Sequence, residues 1–419
     1  MGEGISSELN NFIAKQVSKK PRLIDLNVDV TLVLLTVTLV VFGLLMVYSS
    51  SWDYSLTDTK GETPTLYFNK QLLWLGLGLA CAAFTTWLDY HYWEKLSLPA
   101  IGVAAAALVL LRMMGSINAT PVRALYESSI RPTELAKLVT IIYLSVWLIH
   151  RGERLNTWNL GLYPLIAILG VMSGLIFIQP DLSAAMTVIL LGGLLFFLAG
   201  GDFKRISALL AGMIVIGALF SAILPTGRER IDVYISGLQD IQNSTDQVYY
   251  SLGAFTKGGI FGVGIGKSDT KLINLPIPPT DSIFAVIGEE TGVLGAIGVI
   301  TLFVLFLWRT LVISKEAPDV LGRLMAAGIG IWIVLEAFMN MSAMLGLLPF
   351  MGNALPMISY GGSNMLVCLT GIGIILNIGR MAAKHKKERI QPYHAVVDVR
   401  GGHGRRRVPR FGYPANPKA

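Results

Sequence analysis

Long apolar runs recur about ten times along this chain, and they constrain its fold more than any other feature. A helix needs about 20 apolar residues to cross a bilayer. Charged residues make up only 15% of the chain, against about 25% in a soluble domain. We therefore predict an all-α polytopic membrane protein. Its expected spans cover residues 31–51, 71–88, 98–113, 133–149, 160–178, 182–200, 206–224, 283–308, 321–345 and 355–381.

The lysine and arginine residues predict the orientation of these spans, because cytoplasmic loops carry an excess of both. With the N-terminus inside, most basic residues between spans fall on the inner side, as does the late run KHKKER. We therefore expect both termini in the cytoplasm. The predicted domains are an N-terminal segment over residues 1–30, a ten-helix membrane domain over 31–383 and a basic disordered tail over 384–419.

Several function classes are disfavoured by the same pattern. The tail run GGHGRRRVPR suits nucleic acid in isolation, but beside ten spans we expect no nucleic-acid partner. The first apolar run is too long for the core of a cleaved signal peptide. Cys81 and Cys368 both fall inside predicted spans, so we expect no disulfide framework and no redox chemistry.

The longest connection between spans covers residues 225–282, and we expect it to be an extracytoplasmic loop between the seventh and eighth spans. Long ordered loops usually carry function. Within it, DQVYYSLGAFTKGG predicts an amphipathic helix at the outer surface, because Val248, Leu252 and Phe255 share one helical stripe.

The glycine-rich run GGIFGVGIGKSDTK follows this helix and ends like a P-loop. A P-loop needs glycine five residues before Gly266, where this chain has Phe261, and we do not expect the following residues to start a helix. Free N–H groups in such a turn, with Lys257, Lys267 and Lys271 around it, instead predict a site for a phosphate or lipid-linked pyrophosphate. The alternative is a glycine hinge with solvated lysines.

Charged residues inside apolar spans are functional candidates, because each is costly unless it is paired or faces water. Glu134 and Lys137 of RPTELAKL lie three residues apart on one helix face and can pair. They form either a structural ion pair or part of a substrate site. In IQPDLSAAM, Asp181 is expected to cap the next helix, and a second role toward a cavity stays open.

The stretch LPIPPTDSIFAVIGEETG contains the strongest candidates for chemistry. Its prolines hold an extended approach, after which Thr280 or Asp281 is expected to cap the eighth span. Glu289 and Glu290 follow about two turns deeper, so at least one of them must face the protein interior. Asp281, at the outer rim with a low-dielectric wall on one side, is suited to act as a general base.

The stretch GNALPMISYGGSNML brings small polar residues and free backbone to membrane depth. Irregular backbone is tolerated there only where it is buried or lines a cavity. Ser359, Gly361 and Ser363 are therefore candidate substrate contacts, and close helix packing through small residues is the alternative.

These motifs, in this order on a ten-span frame, resemble the SEDS family, the FtsW/RodA/SpoVE proteins of bacterial cell-wall synthesis. The resemblance runs from the first span to about Met381, and the pattern over 264–271 is more like FtsW than RodA. The matching stretches are RPTELAKL, QPDLSAAM, GGIFGVGIGKSDTK, LPIPPTDSIFAVIGEETG and GLLPFMGNALPMISYGGSNML.

The resemblance implies an inverting peptidoglycan glycosyltransferase of the cytoplasmic membrane. Such an enzyme polymerises lipid II at the outer face during cell division or elongation, in complex with a class B penicillin-binding protein and other divisome or elongasome proteins. It implies that Asp281 is essential, and it matches Glu134, Lys137 and Asp181 to family positions. The candidate substrate contacts also include Arg123, Lys257, Lys267, Lys271 and Glu289.

The negative charge of the leaving undecaprenyl pyrophosphate has to be stabilised, either by the basic residues Arg123, Lys257, Lys267 and Lys271 or by a divalent cation such as Mg²⁺ or Mn²⁺. No metal-ligand spacing can be read from the sequence. Two rivals remain open at this point. One is a flippase or similar transporter for lipid II. The other is an inactive scaffold that recruits a transpeptidase, because the family's usual G.RRW element is reduced here to Arg123, and Pro278, Pro279 and Ser282 depart from the family pattern.

Overall fold

The computed structural model describes residues 28–117, 131–179, 181–223, 225–273 and 275–390. All the regular secondary structure in these residues is helical, which confirms the all-α prediction. In chain order the helices are α1 (Val30–Asp58), α2 (Leu66–Trp87), α3 (Tyr92–Ile117), α4 (Pro132–Arg151), α5 (Tyr163–Phe177), α6 (Leu182–Leu198), α7 (Phe203–Ile223), α8 (Pro225–Gln239), α9 (Asp246–Gly258), α10 (Thr270–Ile273), α11 (Ile283–Glu316), α12 (Val320–Met344) and α13 (Gly362–Ile390). Short 3₁₀ turns occupy Gly152–Asn156 and Ile241–Asn243, and a π turn at Trp158–Leu162 leads into α5.

Seven segments among these helices are long and apolar enough to cross a membrane. They are Val30–Asp58, Tyr92–Met114, Pro132–Arg151, Trp158–Phe177, Ile283–Glu316, Val320–Met344 and Gly362–Lys386. Helix α6 is apolar but shorter, and α2 and α7 coincide with two further predicted spans. The chain is therefore a multi-pass membrane protein, while the count of ten spans stays a prediction.

Helix α12 lies at the centre of the helices that surround the candidate site, against α4, α6, α11 and α13. Most of its residues are buried, including the fully buried side chain of Trp332. A helix that is apolar on all sides is typical of such a central position. Among its polar residues, Glu336 is 3% and Asn340 is 1% exposed, so these two side chains point into protein.

The last predicted span begins later than expected. The backbone is irregular before α13, Met357 adopts a positive φ of 63°, and the helix starts only at Gly362. Pro356 prevents helix continuity at that point. At its other end α13 continues to Ile390, so the predicted disordered tail cannot begin at residue 384, and residues 391–419 lie outside the described residues.

The predicted loop over 225–282 contains the helices α8, α9 and α10, and its place on the outer side stays a prediction. Helix α8 is unexpected, because its sequence PTGRERIDVYISGLQ has no long apolar run. Helix α9 confirms the predicted amphipathic helix, and its Phe255 ring packs against Phe284 of α11 at a centroid distance of 5.4 Å. The single turn α10 begins at the end of the glycine-rich run, where no helix was expected.

Helix α11 is broken at Gly292, with φ of 70° and ψ of −172°, a conformation that is essentially limited to glycine. The break lets backbone groups of α11 bond to the glycine-rich run. The four hydrogen bonds run from the N–H of Val263 to the carbonyl of Glu289 (2.9 Å), from Gly264 to Glu290 (3.0 Å), from Val293 to Gly259 (2.9 Å) and from Leu294 to Ile260 (3.2 Å). The glycines of this run therefore serve close backbone packing.

Candidate active site

Asp281 lies in the turn that leads into α11. The N-cap position of α11 is Ser282, whose side chain makes no capping hydrogen bond. The hydroxyl of Ser282 donates to the carbonyl of Pro276 (2.9 Å), and that of Thr280 donates to Ile277 (3.2 Å). The expectation that Thr280 or Asp281 occupies the N-cap position of α11 is therefore wrong.

The irregular segment before α13 holds this turn from one side. Ser359 donates its hydroxyl to the carbonyl of Thr280 (2.7 Å) and accepts a hydrogen bond from the N–H of Leu355 (2.7 Å). The N–H of Tyr360 donates to the carbonyl of Pro279 (2.8 Å). Ser359 therefore lies beside the Asp281 turn, and its hydroxyl holds backbone in the described structure.

Asn340 of α12 holds the same turn from the other side. Its side-chain N–H groups donate to the carbonyl of Asp281 (2.8 Å) and to that of Asn353 (2.6 Å). Asn353 in turn donates to the carbonyl of Glu336 (3.1 Å). The sequence analysis missed Asn340, although a polar amide inside the apolar run LEAFMNMSAM was an available signal.

The carboxylate of Asp281 faces Gly352. A Cβ atom at Gly352 would lie 3.4 Å from Oδ2 of Asp281 and 4.0 Å from the Phe350 ring. Phe350 also lines a cavity of about 190 Å³, whose other walls include Tyr234, Leu252 and Leu345. Asp281 itself does not line this cavity. Phe350 connects the two places, because it lines the cavity and also lies beside Gly352, which the carboxylate of Asp281 faces.

The predicted pair of Glu134 and Lys137 is confirmed. Nζ of Lys137 lies 2.9 Å from Oε2 of Glu134, and both side chains are buried. The same ammonium also contacts Oε1 of Glu336 on α12, a partner that sequence analysis did not identify. Asn364 of α13 donates to Glu134 (3.3 Å). Two buried carboxylates and one ammonium therefore join α4, α12 and α13, and a role in substrate binding stays a prediction.

Asp181 caps α6, as expected. Its Oδ1 accepts hydrogen bonds from the N–H of Ala184 (3.1 Å) and the hydroxyl of Ser183 (3.0 Å). A further role toward substrate stays a prediction.

Lys271 lies in a second buried ionic cluster. Its Nζ lies 2.6 Å from Oε1 of Glu290, 3.0 Å from the hydroxyl of Ser49 and 3.1 Å from the carbonyl of Gly266. Ser49 also donates to Glu290. Lys271 therefore attaches the glycine-rich run to α11 and α1. Substrate binding by Lys271 stays an untested prediction.

Glu289, the neighbouring carboxylate, points toward the same run. It accepts from the hydroxyl of Ser268 and from the N–H of Thr270 (3.4 Å). Both Glu289 and Glu290 are 1% exposed. The prediction that at least one of them faces the protein interior is therefore confirmed.

The predicted phosphate site was expected to have free backbone N–H groups in the glycine-rich run, and this expectation is wrong for three of them. The N–H groups of Gly262, Val263 and Gly264 all bond to main-chain carbonyls, so they are not available to a phosphate. Lys257 and Lys267 are exposed, and Nζ of Lys257 lies 3.5 Å from the hydroxyl of Thr270. These two lysines remain candidates for phosphate contact.

Three further candidates have different outcomes. The N–H of Gly361 donates to Oε1 of Gln71 (3.3 Å), and the hydroxyl of Ser363 accepts from the N–H of Arg131 (3.0 Å). Both residues therefore join α13 to other segments, and their substrate contacts stay predictions. Arg123 lies outside the described residues.

No group of three or more His, Cys, Asp or Glu side chains is arranged to hold a metal ion in the part of the chain that the structure describes. A divalent cation stays an alternative without assigned ligands.

Comparison with known proteins identifies the family. Residues 30–384 match the family described as cell cycle proteins of the FtsW/RodA/SpoVE type. The chain belongs to this family. Among its relatives, the probable peptidoglycan glycosyltransferase FtsW of Trichlorobacter lovleyi is 34% identical over 84% of this chain and 92% of that protein. The stage V sporulation protein E of Bacillus subtilis is 32% identical over 84% of this chain and 97% of that protein.

Solved structures of the family share the fold. A chain from a peptidoglycan synthase complex that coordinates polymerization and crosslinking superimposes with a TM-score of 0.66 at 23% identity, over 85% of this chain and 98% of that one. The rod shape determining protein RodA of Thermus thermophilus gives a TM-score of 0.60 at 23% identity, over 84% of this chain and 97% of that one. These likenesses show that this chain shares the fold of those proteins.

Proposed function

We propose that this chain is a peptidoglycan glycosyltransferase that polymerises lipid II at the outer face of the bacterial cytoplasmic membrane, with Asp281 as its general base. The names of its relatives support the reaction, since the FtsW relative aligns over 92% of its own length. The observation that carries the role of Asp281 is the turn itself. Two segments fix its backbone through three hydrogen bonds, and its carboxylate lies beside Gly352.

In this reaction the acceptor sugar's 4-hydroxyl attacks the anomeric carbon of the donor. Asp281 accepts the hydroxyl proton as the new C–O bond forms, and the bond to the undecaprenyl pyrophosphate breaks, which inverts the anomeric centre. A positioned general base contributes a factor of about 10²–10⁴ to such a rate. The carboxylate must therefore stand in a defined place before the acceptor arrives.

The leaving pyrophosphate carries negative charge that the site has to stabilise. Lys257 and Lys267 are exposed on the segment that packs against the first turns of α11, and they are the contacts we favour. A divalent cation is the other source of positive charge, and Arg123 remains a third candidate.

The proposed partner is a class B penicillin-binding protein that crosslinks the new strands, within the divisome or elongasome. A family chain of similar fold belongs to a complex that joins polymerization to crosslinking, which supports this proposal. The predicted placement of both termini in the cytoplasm leaves the long segment over 225–282 on the outer side, where the partner's catalytic domain and the sugars would meet it.

Reconstitution tests this function against its two rivals. The purified protein is placed in vesicles with fluorescent lipid II, with and without the transpeptidase, and the glycan products are separated on a gel. A polymerase gives a ladder of glycan strands. A flippase gives transfer of fluorescent lipid II between leaflets without a ladder, and a scaffold binds the transpeptidase and gives neither.

A further inference from the structure

Asn340 is a buried amide whose hydrogen-bond donors serve the candidate active site alone. It is 1% exposed, and its Nδ2 bonds to the carbonyls of Asp281 and Asn353. Its Oδ1 has no hydrogen-bond partner among the residues that the structure describes. The two donated hydrogen bonds are therefore the polar contacts that this side chain makes.

We propose that Asn340 is a positioning residue that sets the place of the Asp281 carboxylate for catalysis, an inference that rests on the proposed function. The hydrogen bond to the Asp281 carbonyl fixes the peptide plane between Asp281 and Ser282. That plane determines the direction in which the Cα–Cβ bond of Asp281 leaves the backbone. Ser282, at the N-cap of α11, makes no capping hydrogen bond with its side chain, so its hydroxyl does not provide this restraint.

The second hydrogen bond, from Asn340 to the carbonyl of Asn353, positions the backbone that the Asp281 carboxylate faces. Asn353 follows Gly352, and Gly352 is the residue beside Oδ2 of Asp281. One amide group therefore locates both the general base and the backbone opposite it. Asparagine suits this task because its amide has two N–H hydrogens to donate, whereas leucine has similar size and none.

The helical turn before Asn340 on α12 is held in place by further contacts. Glu336 lies one helical turn earlier on α12, its carbonyl accepts from the side chain of Asn353 (3.1 Å), and its carboxylate contacts the buried Lys137. The position of Asp281 is thereby tied to the most buried helix around the site and not only to its own loop.

Asn377 provides a matched control elsewhere in the fold. It is also a fully buried amide, it donates to the carbonyl of Thr86 (2.8 Å) and accepts from the N–H of Tyr90 (3.0 Å). It has no hydrogen bond to the Asp281 turn. Loss of a buried amide at Asn377 therefore reports the general cost to stability.

The test compares Asn340→Leu, Asn340→Gln and Asn377→Leu with the wild type, each purified with its transpeptidase. Steady-state polymerisation of lipid II provides kcat and KM, and thermal unfolding provides stability. We expect Asn340→Leu to lower kcat by roughly 10- to 100-fold, since a misplacement of about 1 Å costs about that much, with KM changed less than about threefold. Asn340→Gln keeps both N–H donors and should recover part of kcat. Asn377→Leu should lose comparable stability with kcat near the wild-type value.

Two results would overturn the inference. One is kcat for Asn340→Leu within about twofold of wild type, and the other is a fall in kcat no larger than that of Asn377→Leu at equal loss of stability. If Asn340→Leu does not fold, Asn340→Ala, which is smaller and also lacks the N–H donors, decides: unchanged kcat contradicts the role, and a lowered kcat at unchanged KM supports it. Asp281→Asn in the same assay separates the two proposals, because an active Asp281→Asn protein contradicts the general base itself.

Discussion

Lys271 and Glu290 form a buried ion pair, with 2.6 Å between Nζ and Oε1. The pair joins the glycine-rich run to α11, and Ser49 of α1 bonds to both partners. Removal of one partner from such a pair leaves an uncompensated buried charge. The run therefore stays attached to α11 at this point only while both Lys271 and Glu290 are present and charged.

The first prediction concerns this pair. Lys271→Met should lower the free energy of unfolding by about 3–5 kcal/mol, and addition of Glu290→Gln should restore part of that loss because the unpaired charge is removed. Thermal unfolding in detergent measures both. Lys267→Met, at an exposed lysine of the same segment, is the matched control and should change stability little. Full stability with lost activity for Lys271→Met would instead indicate a direct substrate contact.

The second prediction concerns the break in α11. Gly292 has φ of 70°, and a Cβ there would meet the N–H of Gly262 and the carbonyl of Ile260. Gly292→Ala should therefore strain the backbone and separate the glycine-rich run from α11, which lowers the thermal midpoint. Gly298→Ala, in the same helix with nothing within 4 Å of its added Cβ, should be neutral or raise stability by about 0.5–1 kcal/mol. Equal midpoints for the two variants would contradict the packing role.

The third prediction concerns pH. His91 lies between α2 and α3, and its ring bonds to Asp89 (2.7 Å) and Asp319 (2.8 Å). Partial burial opposes charge on the ring, but the two carboxylates outweigh it and raise the pKa of His91. Its contribution to stability is therefore fully present below its unfolded pKa of about 6.5 and is lost as the pH rises through the higher folded pKa.

The measurement is the difference in thermal midpoint between wild type and His91→Gln across pH. The wild type should be more stable at pH 6, and the difference should shrink as the pH rises to about 9. The effect is expected to be small, because the ring is 47% exposed. A difference that grows with pH would contradict the assigned partners.

Local relationships could be predicted from the sequence, and distant ones could not. The cap at Asp181 and the pair of Glu134 with Lys137 depend on spacing within one helix, so residue order was sufficient. The contact of Lys137 with Glu336 joins residues 199 positions apart, and that of Asn340 with Asp281 joins residues 59 positions apart. Only the packing of α12 between its neighbours brings these groups together.

The glycine-rich run illustrates the same limit. Its sequence predicts a turn with exposed N–H groups, and the lysines around it favour an anion. The break at Gly292 supplies main-chain carbonyls that take up those N–H groups. The carboxylates of Glu289 and Glu290 likewise find their partners in the run. Because that break lies in another element of the chain, composition of the run alone did not indicate it.

The role of Asp281 is tested most directly by glycan formation from lipid II with purified Asp281→Asn and the transpeptidase. The control is Asp232→Asn, at an exposed aspartate of α8 whose contact with Arg228 is 3.7 Å. We expect Asp281→Asn to lose at least about 10²-fold in rate while it keeps its fold and its partner, and we expect Asp232→Asn to match the wild type. Glycan strands from Asp281→Asn at the wild-type rate would contradict the general base.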